Sequence, residues 1–247
     1  MSFANYTVER INMKPIIGVS CNFRPHEDEK GSFILDRSYI DAIYKAGGIP
    51  QIIPILPHEE IDTLIQLYDG ILISGGGGLL PKIKKMKTLP DLKAQNPTRY
   101  TFEYKMIEAA LQKNIPMLGI CRGHQMINDV CGGTIVNLET NKHDQENLSK
   151  EASHAINVKN GTKLFHAVLQ ENVAVNSFHN QVIDQPGHNL SVSAYSDDGW
   201  IEGIESSNDH FVIGVQFHPE LMIQETEMLN LYSAFVNAAR NFKFAKR

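Results

Sequence analysis

What the chain has little of narrows its function before any motif is read. Its 247 residues hold three cysteines, Cys21, Cys121 and Cys131. An odd set without metal-ligand spacing cannot complete a disulfide framework, and reduced thiols in a cytoplasm fit it best. It does permit one reactive thiol. No apolar run approaches the roughly 20 residues that cross a bilayer, so no membrane partner is expected. Residues 1–13 read as a disordered leader, since Met1 to Arg10 lack the charged-then-apolar layout of a signal peptide. A net charge of −5 and the lack of a clustered basic face argue against nucleic acid as a partner. The one Lys-rich stretch, Lys82 to Lys87, reads as a solvated loop. No Pro/Gly/Ser-rich linker or shift in composition divides the rest, so residues 14–247 read as a single domain.

What is present reads as strands alternating with helices. Lys14 to Cys21, Ile49 to Ile55, Ile71 to Ile73 and Ile115 to Ile120 are short apolar, β-branched runs expected to be buried strands. Arg37 to Ala46, Glu59 to Tyr68, Arg99 to Lys113 and Arg122 to Cys131 carry apolar residues at helical spacing, and Gly47-Gly48 ends the first of them. Leu79 to Pro97 has no firm pattern and reads as a long loop. In the second half His154 to Val158, Val173 to Asn176, Leu190 to Tyr195, Ile201 to Glu205 and Phe211 to Phe217 read as strands, with Asp197-Asp198-Gly199 as a hairpin turn. Met228, Leu231, Tyr232, Phe235, Val236 and Ala239 form a core-facing stripe on a last helix. The pattern predicts an α/β fold, a mostly parallel central sheet covered on both faces with an added antiparallel portion. In such sheets the chemistry sits at the carboxyl ends of the strands.

Two motifs fall at such ends. Gly119-Ile120-Cys121-Arg122-Gly123 follows a strand and opens a helix, the context of a nucleophile elbow with Cys in place of Ser. Side chains at the flanking glycines would collide with neighbouring backbone, and the helix N-terminus favours negative charge on the sulfur. The amide of Arg122 is a candidate oxyanion donor. The run Ser74 to Gly78 offers further unobstructed amides, Gly76 above all. No Lys-Ser/Thr follows it, so it is not a P-loop. Gly214-Val215-Gln216-Phe217-His218-Pro219-Glu220 supplies a base. His218 ends a strand, and Glu220 can accept a hydrogen bond from the imidazole and set its tautomer. The other ring nitrogen is then free to face the sulfur of Cys121. Cys21 and Cys131 read as structural.

The segments GICRGHQMIN with a following GGT, VNSFHNQ, DGWIEGIE and GVQFHPE resemble the class I glutamine amidotransferase-like superfamily, closest to its gamma-glutamyl-gamma-aminobutyrate hydrolase branch. The resemblance runs from about Lys14 to the end of the chain. It implies a flavodoxin-like three-layer sandwich and a triad of Cys121, His218 and Glu220. It also implies an oxyanion hole from the amides of Gly76 and Arg122, with Gln125, Ser177 and His179 beside the glutamyl group of a small gamma-glutamyl substrate. Such enzymes act in polyamine and gamma-glutamyl metabolism, and the implied thioester mechanism requires no metal and no organic cofactor. Oligomeric state is not read from the sequence, and a homodimer stays open.

The chain departs from that branch in two places. Gly75-Gly-Gly-Gly-Leu-Leu-Pro81 lacks the acidic residue of a Gly-Gly-x-Asp-x-x-Pro pattern, and Arg99-Tyr100-Thr101-Phe102-Glu103 replaces an Arg-Asp before Phe-Glu. Both are expected near the mouth of the site, where they bear on the amine half of the substrate. Gly123-His124-Gln125 resembles the true glutaminases, so a glutaminase subunit feeding ammonia to a separate synthetase is the competing reading. A binding protein on a retired amidase scaffold is a third, and the intact Cys, His and Glu count against it.

Overall fold

The computed structural model describes residues 13–25, 31–76, 86, 88–145 and 151–246. The chain order begins with β1 (Ile16–Ser20), a hairpin of β2 (Asn22–Pro25) and β3 (Gly31–Ile34), helix α1 (Arg37–Lys45) and β4 (Ile49–Ile53). Helix α2 (Ile61–Leu64), β5 (Gly70–Ile73), α3 (Leu92–Gln95), α4 (Pro97–Gln112), β6 (Met117–Ile120), α5 (Arg122–Val130) and β7 (Thr134–Asn137) follow. The remainder is β8 (His154–Val158), α6 (Lys163–Val168), β9 (Asn172–Val175), β10 (Gln181–Gln185), β11 (Leu190–Ser196), β12 (Ile201–Ser206), β13 (Val212–Val215) and α7 (Thr226–Ala245).

Strands β4-β1-β5-β6-β13 run parallel in that order, and β12, β11, β8 and β9 extend the sheet antiparallel, with β10 and β7 branching from β12. Residue alternation divides the core. Ile17, Val19, Leu72, Leu118, Ile120, Ile213 and Val215 pack towards α1, α6 and α7, whereas Ile71, Ile73, Met117 and Val212 pack towards α2, α4 and α5. Helices therefore cover both faces, as the strand–helix alternation predicts. All six residues of the α7 stripe are buried. The Asp197–Gly199 turn joins β11 to β12, with Gly199 at φ 90°.

Two expectations change. The segment from Glu59 to Tyr68 is no continuous helix but one α turn, Ile61–Leu64, between 3-10 turns His58–Glu60 and Ile65–Leu67. Tight turns at both ends still bury Ile61, Leu64, Ile65 and Tyr68. The supposed loop from Leu79 to Pro97 contains α3, because the Asp91 carboxylate accepts from the amide of Ala94 (2.7 Å), and Pro97 begins α4. Residues 77–85 and 87, with most of the Lys-rich stretch, lie outside the described residues, as do 1–12 of the expected leader. The carbonyl of Met13 is tied down by Arg240 Nε (3.2 Å). Sequence patterning also misses β2, β3, β7, β10 and α6, short elements whose exposed residues blur any period. No helix among the described residues is long and apolar enough to cross a membrane.

Candidate active site

Strand β6 is buried at every position and lies between β5 and β13. Its last residue hands over to Cys121, which adopts φ 50°, ψ −105° at the N-cap of α5. Left-handed φ on a non-glycine residue costs about 1–3 kcal/mol and persists only where its surroundings enforce it. The enforcement is visible. The amide of Cys121 donates to the Val215 carbonyl of β13 (2.8 Å), and its carbonyl accepts from Gln125 (3.1 Å). A Cβ on Gly119 would stand 2.7 Å from the Gly123 carbonyl oxygen, and one on Gly123 would run into the backbone of Ile73. Both glycines of the elbow are required for the turn to fit between strand and helix.

Because β13 runs parallel to β6, the residues after it emerge beside Cys121. His218 is clamped by Asn176, whose side chain accepts from the His218 amide (2.8 Å) and donates to its carbonyl (2.9 Å). The imidazole Nδ1 lies 2.6 Å from Glu220 Oε1, and that carboxylate is 3% exposed. Burial alone would push the His218 pKa down. The Glu220 carboxylate and the nearby sulfur of Cys121 outweigh it and hold the value well above the ordinary range. Gly75 closes the site from the third side: a Cβ there would sit 2.8 Å from His218 Cε1, 2.7 Å from the Tyr39 hydroxyl and 3.6 Å from Cys121 Cβ.

The glycine run is held by buried charge. The Arg99 guanidinium donates to the carbonyls of Gly75 (2.9 Å) and Ser74 (2.8 Å), and its Nε to Glu103 Oε1 (2.8 Å). Ser20 donates to the same carboxylate oxygen (2.7 Å), and Arg122 Nη1 bonds the other. Burial would raise the Glu103 pKa, but the two guanidiniums beside it, Arg122 first, bring it below the usual carboxylate range. The Gly75 amide donates to the Tyr39 hydroxyl (2.9 Å). Gly76 lies against the start of α5, where a Cβ would be 3.4 Å from Arg122 Cβ. Gly76 and Arg122, the two residues expected to form the oxyanion hole, are therefore neighbours across the elbow.

Gln125, Ser177 and His179 are all buried and engage protein groups. Gln125 Nε2 donates to the Gln181 carbonyl (2.8 Å) and to Gln216 Oε1 (3.0 Å), while Gln216 Nε2 approaches Cys121 Sγ at 3.5 Å. Ser177 Oγ donates to the His143 carbonyl (2.8 Å), and His179 Nε2 lies 3.5 Å from Glu202 Oε1. Neither side chain belongs to the group around Cys121. The second departure segment is not at the mouth of the site, for Arg99 and Glu103 are 1% and 0% exposed beneath the glycine run. The first, Leu79 to Pro81, lies outside the described residues. Sequence reasoning missed Tyr39, Asn176 and Gln216, although Asn176 and Gln216 stand inside motifs it singled out. Cys21 donates to the Ile53 carbonyl (3.3 Å), and burial raises its pKa to about 11, in keeping with a structural thiol.

Comparison with known proteins places these features in context. The profile of the family described as Peptidase C26 matches residues 15–220. A glutamine amidotransferase-like protein of Rickettsia prowazekii is 34% identical over 92% of this chain and 98% of its own. The gamma-glutamyl-gamma-aminobutyrate hydrolase PuuD of Escherichia coli K12 is 30% identical over 95% and 97% of the two chains. Among solved structures, a protein of the GMP synthase type from Thermoplasma acidophilum superposes with a TM-score of 0.67 at 16% identity, covering 95% of this chain and 99% of that one. A glutamine amidotransferase from Thermotoga maritima gives 0.57 at 18% identity, over 85% and 77%. At such identities the likeness is one of fold, a three-layer α/β sandwich.

Proposed function

The chain belongs to the Peptidase C26 family, a family of hydrolases, and on that premise we propose that it cleaves the gamma-glutamyl amide bond of a small gamma-glutamyl amine, with Cys121, His218 and Glu220 as its triad. The observation that carries this reading is the strained Cys121 elbow, which meets Gly75 together with an imidazole whose Nδ1 is 2.6 Å from a buried carboxylate. The likeness to the Escherichia coli gamma-glutamyl-gamma-aminobutyrate hydrolase supports a gamma-glutamyl amine as substrate.

The reaction runs in two halves. Cys121 Sγ attacks the gamma-carbonyl carbon, and the amides of Gly76 and Arg122 receive the developing oxyanion. His218, protonated at the nitrogen remote from Glu220, gives its proton to the leaving amine as the C–N bond breaks. A gamma-glutamyl thioester remains. His218 then takes a proton from water, the hydroxide attacks the thioester carbon, and glutamate leaves as the sulfur regains its charge. Gln125 contributes by fixing Gln216 beside the sulfur, and Ser177 and His179 by shaping the segment that holds Asn176 against His218.

Glutamate release by the purified chain from a panel of gamma-glutamyl-gamma-aminobutyrate, other gamma-glutamyl amines and free glutamine tests the reading, with Cys121→Ala as control. Turnover of a gamma-glutamyl amine that disappears in the control is expected. Turnover of glutamine alone would favour a glutaminase subunit with a synthetase partner, and inactivity on every compound would remove the proposed reaction.

A further inference from the structure

A second group of titratable side chains lies beyond the triad, and the mechanism uses none of its charges. Glu202, on β12, is completely buried, yet neither of its carboxylate oxygens has a hydrogen-bond partner. Three imidazoles converge on it from separate segments. His154 Nε2 and His179 Nε2 each lie 3.5 Å from Glu202 Oε1, and His143 Nδ1 lies 3.8 Å from the same atom. The ring nitrogens of His154 and His179 likewise find no hydrogen-bond partner, although both side chains are largely enclosed. The donor atoms of His143, His154 and Glu202 fall within 4.8 Å of one another.

Buried polar atoms left without partners point to a missing guest. The spacing identifies its size. A tetrahedral zinc ion bonded at about 2.0–2.1 Å holds its donor atoms roughly 3.3 Å apart, close to the 3.5 and 3.8 Å that separate Glu202 Oε1 from His154 Nε2 and His143 Nδ1. The donor chemistry agrees, since imidazole with one carboxylate suits zinc. So do the surroundings. The remaining nitrogen of His143, Nε2, sits 3.2 Å from Asp198 Oδ2, the carboxylate–histidine arrangement that orients a metal-ligating ring.

We propose that His143, His154 and Glu202 hold a structural zinc ion, with His179 beside Glu202 and Asp198 orienting His143. The triad uses none of the three donors, which marks the ion as a brace and not a reagent. Two short paths join this brace to the triad. His179 closes the segment that begins at Asn176, the clamp on the His218 backbone. The Glu202 carbonyl accepts from the amide of Gln216 (2.9 Å), whose side chain approaches the Cys121 sulfur. Zinc at this point fixes the loops on which the base depends.

Metal content tests the inference without reference to catalysis, so its failure is distinct from failure of the proposed hydrolase activity. The tag-free protein, purified without chelators and desalted, is expected to carry about one equivalent of zinc. After stripping and reloading with cobalt(II), it should show the visible absorption of a four-coordinate nitrogen–oxygen site, displaced by added zinc. Cys121→Ala should keep both signals. Glu202→Gln and, at the more accessible position, His154→Gln should each lose them, and zinc should raise the midpoint of thermal unfolding of the parent but not of these variants. A parent chain that binds neither ion, or a cobalt signal that vanishes in Cys121→Ala, overturns the proposal.

Discussion

Replacing Glu103 with glutamine should unsettle the whole site through charges that never touch substrate. The carboxylate is 0% exposed and takes bonds from Arg99, Arg122 and Ser20, while the two guanidiniums are themselves 1% and 5% exposed. Glutamine keeps the volume but removes the one negative charge between two enclosed cations. Breaking a buried ion pair from one side costs about 3–5 kcal/mol, because the remaining charge is left uncompensated. With a urea m-value of roughly 3 kcal/mol/M, the unfolding midpoint should fall by about 1–1.7 M. For a chain of this length that is a loss of roughly 6–20 °C in Tm. The pH dependence carries a sign. Glu103 has a depressed pKa when folded, so its stabilisation is fully present above the unfolded value of about 4.3 and is lost as pH falls through the folded value. The variant should lack that acid-side slope. Urea titrations from neutral pH down to mild acid, monitored by circular dichroism, measure both effects. Arg37→Ala, which breaks an exposed pair with Asp41 at the surface, serves as control and should leave the midpoint in place. A Glu103→Gln midpoint within error of the parent would refute the reasoning.

Glu220→Gln should let the His218 pKa fall towards its ordinary value and lower kcat/KM by about 10²-fold or more, read from pH–rate profiles. Because the His218 pKa is raised in the fold, its stabilisation is present below about pH 6.5 and is lost as pH rises through the folded value, a slope the variant should not show. Gly75→Ala drives a methyl group to 2.7 Å from the Tyr39 hydroxyl and 2.8 Å from His218 Cε1, so kcat should collapse. Its stability should fall by about 1–3 kcal/mol, as overpacking requires; normal turnover would show that the site opens more easily than its packing implies.

The parts of this molecule that were legible in its sequence are those where a local pattern and a long-range need coincide. The α7 stripe is readable because all six of its inward residues obey one period, and the Cys121 elbow because the sterics at Gly119 and Gly123 leave no other residue type. The parallel sheet followed from apolar runs alternating with amphipathic ones. Interactions between distant segments stayed hidden. Arg99 and Glu103 sit four residues apart, the spacing of a surface ion pair, and only packing reveals that both lie beneath the glycine run with Arg122. The His143–His154–His179–Glu202 group is drawn from four segments with no motif spacing, so attention to cysteines alone could not find it. Strands β2, β3 and β10 pair through backbone bonds that leave little trace in side-chain pattern.

The most direct test of the proposed chemistry is to trap the thioester. Protein mixed with gamma-glutamyl-gamma-aminobutyrate, or with whichever gamma-glutamyl amine is turned over fastest, would be quenched in acid within the first turnovers and mapped by mass spectrometry. A single gamma-glutamyl group on the peptide containing Cys121, absent in Cys121→Ala and removed by hydroxylamine, is the predicted result. Turnover that survives in Cys121→Ala, or an acyl group found on another residue, would contradict the assignment of Cys121 as nucleophile.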